Sequence, residues 1–237
     1  MIPFQIDPEI AQRFAGLNIG FLEGTCEKNA CVDPAGFFEL KTKAEAAARK
    51  IPILSEHPHI AAWRKTFKSF KADPSKTKPS VEALVRRIQK GESLPSINPI
   101  VDVYNAVSLA HVLPIGGQDA EKIQGSVTLR FSRPDDTFTP LGANERQKVD
   151  DKEVVYADEK KVLCSKWNWR DCFDARITDQ TRKFVLFVDG CPSIPRETVE
   201  NALQALSENL EKFVQGCRTE KYLVAPPRDS NNVSAEK

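Results

Sequence analysis

The sequence predicts an α+β domain, on three observations. Helical periodicity governs residues 35–111, short alternating and β-branched runs govern residues 126–189, and a further amphipathic pattern covers residues 195–215. With 237 residues, 41% of them hydrophobic, one substantial core can form, and neither a repeat nor a long linker divides the chain. Residues 1–225 are therefore expected to form one domain, and residues 226–237, with little to bury, a disordered tail.

In chain order, FAGLNIGFLEG (14–24) roughly alternates apolar with small or polar residues and reads as a strand. AGFFELKTKAEAAARKI (35–51) is rich in Ala, Leu, Glu and Lys and reads as a helix. In HIAAWRKTFKSF (59–70), Ile60, Trp63, Phe67 and Phe70 recur at helical steps while Arg64, Lys65, Lys68 and Lys71 take the other faces. PSVEALVRRIQKG (79–91) has Pro79 and Ser80 as a start, Gly91 as a stop, and a buried stripe of Val81, Leu84, Val85 and Ile88.

INPIVDVYNAVSL (97–109) reads as a further helix, capped by Asn98 or beginning after Pro99. Ile100, Val103, Tyr104 and Val107 fall on one side of it, and Asn98, Asp102 and Asn105 on the other. Ile115-Gly116-Gly117 reads as a turn, after which SVTLRFS, DTFTPL, EVVYAD, KVLCS and KFVLFVD read as strands. The closing helix, Pro195 to Gln215, carries Val199, Leu203, Leu206, Leu210 and Phe213 at helical spacing.

Composition narrows the function. No uninterrupted apolar run is long enough to cross a membrane, and MIPFQIDPEIAQRF lacks the basic start of a secretory signal, so a cytoplasmic protein without a membrane partner is expected. Six irregularly spaced cysteines suggest reduced thiols. The net charge of +1 conceals an asymmetry: Trp63 to Gly91 holds nine Lys or Arg against two acids, a local charge of +7 that leaves −6 for the rest of the chain. Such a patch favours an anionic partner. Phosphate-loop, dinucleotide-turn and nucleophile-elbow signatures are missing, which argues against nucleotide hydrolysis, dinucleotide redox chemistry and serine esterase chemistry. Cys26, Cys31, His57 and His59 lack the usual spacing of zinc pairs, so no metal is expected.

Two constellations remain. From Ser93 to Gln118 the sole charged residue is Asp102, which lies on the face shared with Asn98 and Asn105. Buried polar groups need partners, and either a ligand or the loop backbone can supply them, with Asp102 the most structural of the three. KWNWRD (166–171) gathers two of the three tryptophans with an amide, a guanidinium and a carboxylate. That mixture suits a pocket, and equally a Trp-anchored loop with an Arg–Asp surface pair.

The order of WRKTFKSFKADPSKTKPSVEALVRRIQKG, LPSINPIVDVYNAVSLAHVLPIGGQDAEKIQGSVTLRF, TPLG, EVVYADEKKVLCSKWNWR and ITDQTRKFVLFVDG, about two thirds of the chain, resembles a known family. It is similar to the B3/B4 editing domain of the phenylalanyl-tRNA synthetase β subunit, and most of all to free-standing relatives of that domain. The resemblance implies a β-sandwich-like core with flanking helices. It also implies hydrolysis of a mischarged aminoacyl-tRNA ester without metal, other cofactor or covalent intermediate. Carried over by residue, the family's threonine falls at Tyr104 and its following asparagine is kept as Asn105, which would position substrate or water. The family's histidine falls at Gly116, and the glutamate that reads the tyrosine hydroxyl falls at Phe187. With that acidic group gone, the resemblance does not imply tyrosine as the amino acid; the family's glycine-rich turn aligns with Trp167 to Asp171, which implies a smaller or reshaped pocket. Substrate contacts are expected from Asn98, Tyr104, Gly116, Trp167, Asn168, Trp169, Arg170 and Phe187, and RNA contacts from Arg64, Lys65, Lys68, Lys71, Arg86 and Arg87. The expected partner is aminoacylated tRNA rather than DNA. The alternative is a non-catalytic tRNA-, RNA- or amino-acid-binding module that keeps the fold. A complete tRNA ligase is not expected, since the aminoacylation motifs are missing.

Overall fold

The structure, a computed structural model, describes residues 2–226; from residue 227 onward the expected disordered tail lies outside the described residues. The chain opens with a strand β1 (Phe4–Ile6) and a one-and-a-half-turn helix α1 (Pro8–Arg13), started by Asp7, whose side chain accepts from the Glu9 amide at 2.8 Å. Both elements are too short to show periodicity, and neither is expected from sequence. Strand β2 (Asn18–Thr25) is followed by helices α2 (Pro34–Arg49), α3 (Pro58–Ser69), α4 (Ser80–Gln89) and α5 (Pro99–His111). The first three of these helices place a proline at the N-cap or first-turn positions, as in the fourth, where its missing N–H costs no intrahelical bond.

Ile115-Gly116-Gly117 is not a turn. It opens strand β3 (Ile115–Asp119), which pairs antiparallel with β10 (Lys183–Gly190) through Gly117 opposite Leu186 and Gly116 opposite Phe187. A Cβ on Gly117 would stand 2.1 Å from the Val185 carbonyl oxygen, so glycine here serves close strand approach rather than chain reversal. Between them run β4 (Val127–Phe131), β5 (Thr137–Phe138), β6 (Gln147–Lys148), β7 (Val154–Ala157), β8 (Val162–Ser165) and β9 (Arg170–Asp171). Helix α6 (Arg196–Phe213) and an edge strand β11 (Arg218–Val224) complete the described chain. The edge strand has no apolar stripe to announce it, because most of its side chains face solvent.

The strands form a five-stranded sheet, β1-β4-β7-β8-β9, a four-stranded sheet, β11-β2-β10-β3, and a small β5-β6 ribbon. β1 joins β4 in parallel; the other pairs are antiparallel. The two larger sheets face each other through aromatic rings. Tyr156 meets Phe187 at a centroid distance of 4.4 Å, and Phe4 meets Phe187 at 5.1 Å and Phe21 at 5.3 Å. The result is an α+β protein with a sandwich-like core. Helix α6 lies on β2, β10 and β11, and α5 is wedged among α2, α4, α6 and β3. That position accounts for a helix buried from Ile100 to Leu109 except at Asp102.

Candidate functional site

The turn between β8 and β9 carries Lys166, Trp167, Asn168 and Trp169. Lys166 and Trp167 sit at φ +48° and +69°, the left-handed region that favours glycine. Burial of the indole holds them there. Trp167 is 0% exposed, packed edge-on against Phe14 at 5.0 Å and Trp63 at 5.2 Å, and its amide donates to the Val154 carbonyl at 2.6 Å. The Lys166 ammonium adds ion pairs to Asp150 and Glu153 at 2.8 and 2.9 Å. Trp169 is half-buried, with Lys166 and Arg170 against its ring. Arg170 is exposed and reaches the Leu141 carbonyl at 3.4 Å.

This turn borders, with β3, β7, β8 and β10, a partly open cavity of about 40 Å³, room for a few water molecules. Gly116, Trp167, Asn168, Trp169, Arg170 and Phe187, all expected at a ligand site, line it. So do Gln118, Tyr156, Asp171, Asp189, Cys164 and Ser80, which sequence reasoning did not select as ligand contacts.

Two carboxylates dominate the chemistry. Asp189 is 2% exposed; its Oδ1 accepts from the Tyr156 hydroxyl at 2.5 Å and its Oδ2 from the Asn168 amide at 3.1 Å. Burial raises its pKa to about 7, against the hydrogen bonds, and the Asp171 charge adds to the rise. Asp171 accepts from the Gln118 amide at 3.2 Å, and burial raises it to about 6. It forms no ion pair with Arg170 within salt-bridge distance; the carboxylate read as half of a surface pair turns inward. Burial likewise pushes the Tyr156 hydroxyl and the Cys164 thiol well above their ordinary values, so both stay protonated. One sequence signal pointed at Asp189: a single acid ending the apolar run KFVLFVD.

The polar face of α5 resolves differently. Asn98 is the N-cap, accepting from the Val101 amide at 3.2 Å and the Asn29 amide at 3.0 Å while donating to the Ile177 carbonyl at 3.3 Å. Asp102 accepts from the Ile97 amide at 2.7 Å and the Ser96 hydroxyl at 3.2 Å, tying down the preceding loop. Burial raises its pKa, partly offset by those bonds. Asn98 and Tyr104 border a separate recess of about 350 Å³ with Gly117, Leu141 and Ile177. Asn105, buried, lines neither the cavity nor this recess. Asp171 borders both hollows.

The basic segment divides as well. Glu82, 0% exposed, accepts two hydrogen bonds from Arg64 at 2.8 and 2.6 Å and one from Arg86 at 2.8 Å. Burial pushes Glu82 up, but the two guanidiniums outweigh it and hold the carboxyl below its usual range. Arg64 and Arg86 thus neutralise Glu82 and tie α3 to α4, while their side chains stay partly exposed, and Arg87 pairs with Glu92 at 2.8 Å. Lys65, Lys68 and Lys71 stand exposed on α3 and just beyond it. The segment reaches the cavity at Ser80, the first residue of α4, whose amide donates to the Asn168 carbonyl at 3.1 Å.

Among the described residues, no group of three or more His, Cys, Asp or Glu is placed to hold a metal ion, and no helix is long and apolar enough to cross a membrane. All six cysteines are unpaired.

The family model for the B3/4 domain matches residues 62–225. The phenylalanine–tRNA ligase β subunit of Idiomarina loihiensis is 30% identical over 87 residues, 37% of this chain and 11% of that subunit. The corresponding subunit of Colwellia psychrerythraea is 37% identical over 68 residues, 29% of this chain and 8% of that subunit. The matched stretches are therefore a small part of those relatives. Among solved structures, an N-terminal fragment of the phenylalanyl-tRNA synthetase β subunit from Pyrococcus horikoshii aligns at a TM-score of 0.48 with 13% identity, over 94% of this chain and 54% of the fragment.

Proposed function

From the premise that the chain belongs to the B3/4 domain family, we propose that it hydrolyses in trans the ester of a mischarged aminoacyl-tRNA whose amino acid is not tyrosine. One observation carries the reading: a polar cavity is bordered by Ser80, within the basic segment, and Lys65, Lys68 and Lys71 of that segment stand exposed, free to meet the phosphates of a nucleic acid. An aminoacyl ester is already activated, and holding it against an oriented water supplies much of the acceleration. Asp171 has the position and the acidity for a general base. It borders both hollows, and a pKa of about 6 leaves it ionised at neutral pH yet able to take a proton from the attacking water. Asn168 and Arg170 would hold polar groups of the substrate. Phe187, where the family's phenol-reading glutamate falls, gives the cavity an apolar wall and supports exclusion of tyrosine.

A panel of mischarged tRNAs tests this. At least one ester should decay faster with the protein present, and Asp171→Asn should slow that decay by about 100-fold or more. Reversing Lys65 and Lys68 to glutamate should weaken tRNA binding and flatten its salt dependence while leaving the unfolding transition in place. The tightness of the 40 Å³ cavity favours the second reading, a binding module without catalysis. Salt-dependent tRNA binding with no ester accelerated would replace the hydrolase by that module.

A further inference from the structure

The lining of the cavity is unbalanced in its hydrogen-bonding capacity. Gln118 and Asn168, 2% and 8% exposed, each give their amide N–H to a carboxylate, Asp171 and Asp189 respectively. That leaves Gln118 Oε1 and Asn168 Oδ1 buried with no donor. Flipping either amide would only turn its carbonyl oxygen toward a carboxylate. Two unpartnered carbonyl oxygens and two carboxylates thus face one small space, while the remaining donors lining it are the ambivalent Ser80 hydroxyl and the Trp167 indole N–H, which has no close partner and is directed toward Asp189 and Tyr156. A buried acceptor left bare is destabilising, so the arrangement is complete only when several N–H or O–H groups arrive from outside.

We propose that this cavity receives a primary ammonium group, the free α-amino group of the aminoacyl moiety, which donates its three N–H groups to Gln118 Oε1, Asn168 Oδ1 and the Asp189 carboxylate, with Asp171 adding negative charge beside it. The proposal deepens the hydrolase reading and rests on it only for the molecule that carries the ammonium. Charge selects the class: a cation is attracted and an anion repelled by two carboxylates in a partly desolvated site. Size is consistent with it, since a cavity of about 40 Å³ suits a compact ammonium head better than a bulky group. A metal ion fits poorly, because among the described residues no three metal-binding side chains converge. Aromatic surfaces of Tyr156, Trp167 and Phe187 also line the cavity.

Alaninamide, lactamide and N-acetylalaninamide separate the contributions: the second replaces the ammonium by a hydroxyl of nearly the same size, and the third blocks it. Binding is read from the Trp167 indole N–H resonance and from protection against thermal unfolding. Alaninamide should bind at least about ten-fold more tightly than either analogue, and Asp189→Asn and Gln118→Leu should each remove about ten-fold or more of that preference. Two variants on different strands guard against one that folds poorly. The titratable or charged groups facing the site are Tyr156 on β7, Cys164 on β8, Arg170 and Asp171 on β9 and Asp189 on β10; β3 and α4 contribute none. With Tyr156 and Cys164 protonated throughout, alaninamide affinity should rise from pH 5 to about pH 7 as the two aspartates ionise, and fall again above about pH 8 as the α-ammonium of the probe loses its proton. Equal binding of lactamide, an unchanged preference in both variants, or no binding of alaninamide at all would overturn the proposal. The hydrolase reading is judged separately: ester hydrolysis indifferent to N-acetylation keeps that activity and ends the ammonium site, whereas ammonium-selective binding without hydrolysis does the reverse.

Discussion

Trp167 occupies a backbone conformation suited to glycine, and the family resemblance places a glycine-rich turn at this point. The large side chain is retained by packing against Phe14, Trp63 and Phe70. Two effects therefore separate on substitution. Trp167→Ala loses the packing and should cost about 3–5 kcal/mol of unfolding free energy. Trp167→Gly loses the same packing but relieves the positive φ, so in urea unfolding it should be at least as stable as Trp167→Ala, reversing the usual penalty of glycine against alanine. Asp189 gives a second test. Its folded pKa of about 7 lies above the ordinary carboxylate value of 3.8, so between these limits the native state binds more protons than the unfolded chain. Stability should fall as pH rises from about 4 to about 7, by on the order of 2 kcal/mol once water in the cavity is allowed for, and Asp189→Asn should flatten that slope. A slope unchanged in Asp189→Asn would show that other groups carry it. The sequence displayed Asp189 as a lone acid in an apolar run, but its partner Tyr156 lies 33 positions away and left no local trace.

Elements were legible where their periodicity is long. α2 to α6 fall within two residues of the helical patterns at nearly every boundary, because caps such as Asn98 and first-turn prolines such as Pro99 mark them chemically. Gly116-Gly117 misled for a definable reason: glycine signals turns by backbone freedom and strands by close approach, and only the neighbouring strand distinguishes the two. On α3 and α4 the sequence showed a charge run but not its division, since Arg64 lies 18 positions from Glu82. That pair binds the helices to each other. Arg64→Ala should destabilise the protein by about 3 kcal/mol, because Glu82 would keep a buried charge with half its partners. Lys65→Ala, on an exposed face of the same helix, should shift stability by less than about 0.5 kcal/mol. Equal effects in chemical denaturation would contradict the assigned roles.

For the molecule as a whole, the α+β class followed from the order of patterns, while the cavity could not be read from that order. Gln118 meets Asp171 across 53 positions and Asn168 meets Asp189 across 21, and such meetings are decided by sheet order rather than by any local pattern. The sheet order also bears on how the chain is made. β2 is complete by residue 25, yet its two neighbours are β10 and β11, which begin at residues 183 and 218; β1 likewise waits for β4 at residue 127. On a ribosome, more than 150 residues separate the birth of β2 from that of its first hydrogen-bonding neighbour, leaving an apolar ribbon unsatisfied throughout. Early chaperone capture of nascent chains ending before residue 183, and its release once β10 has emerged, is the behaviour this topology demands of the cell.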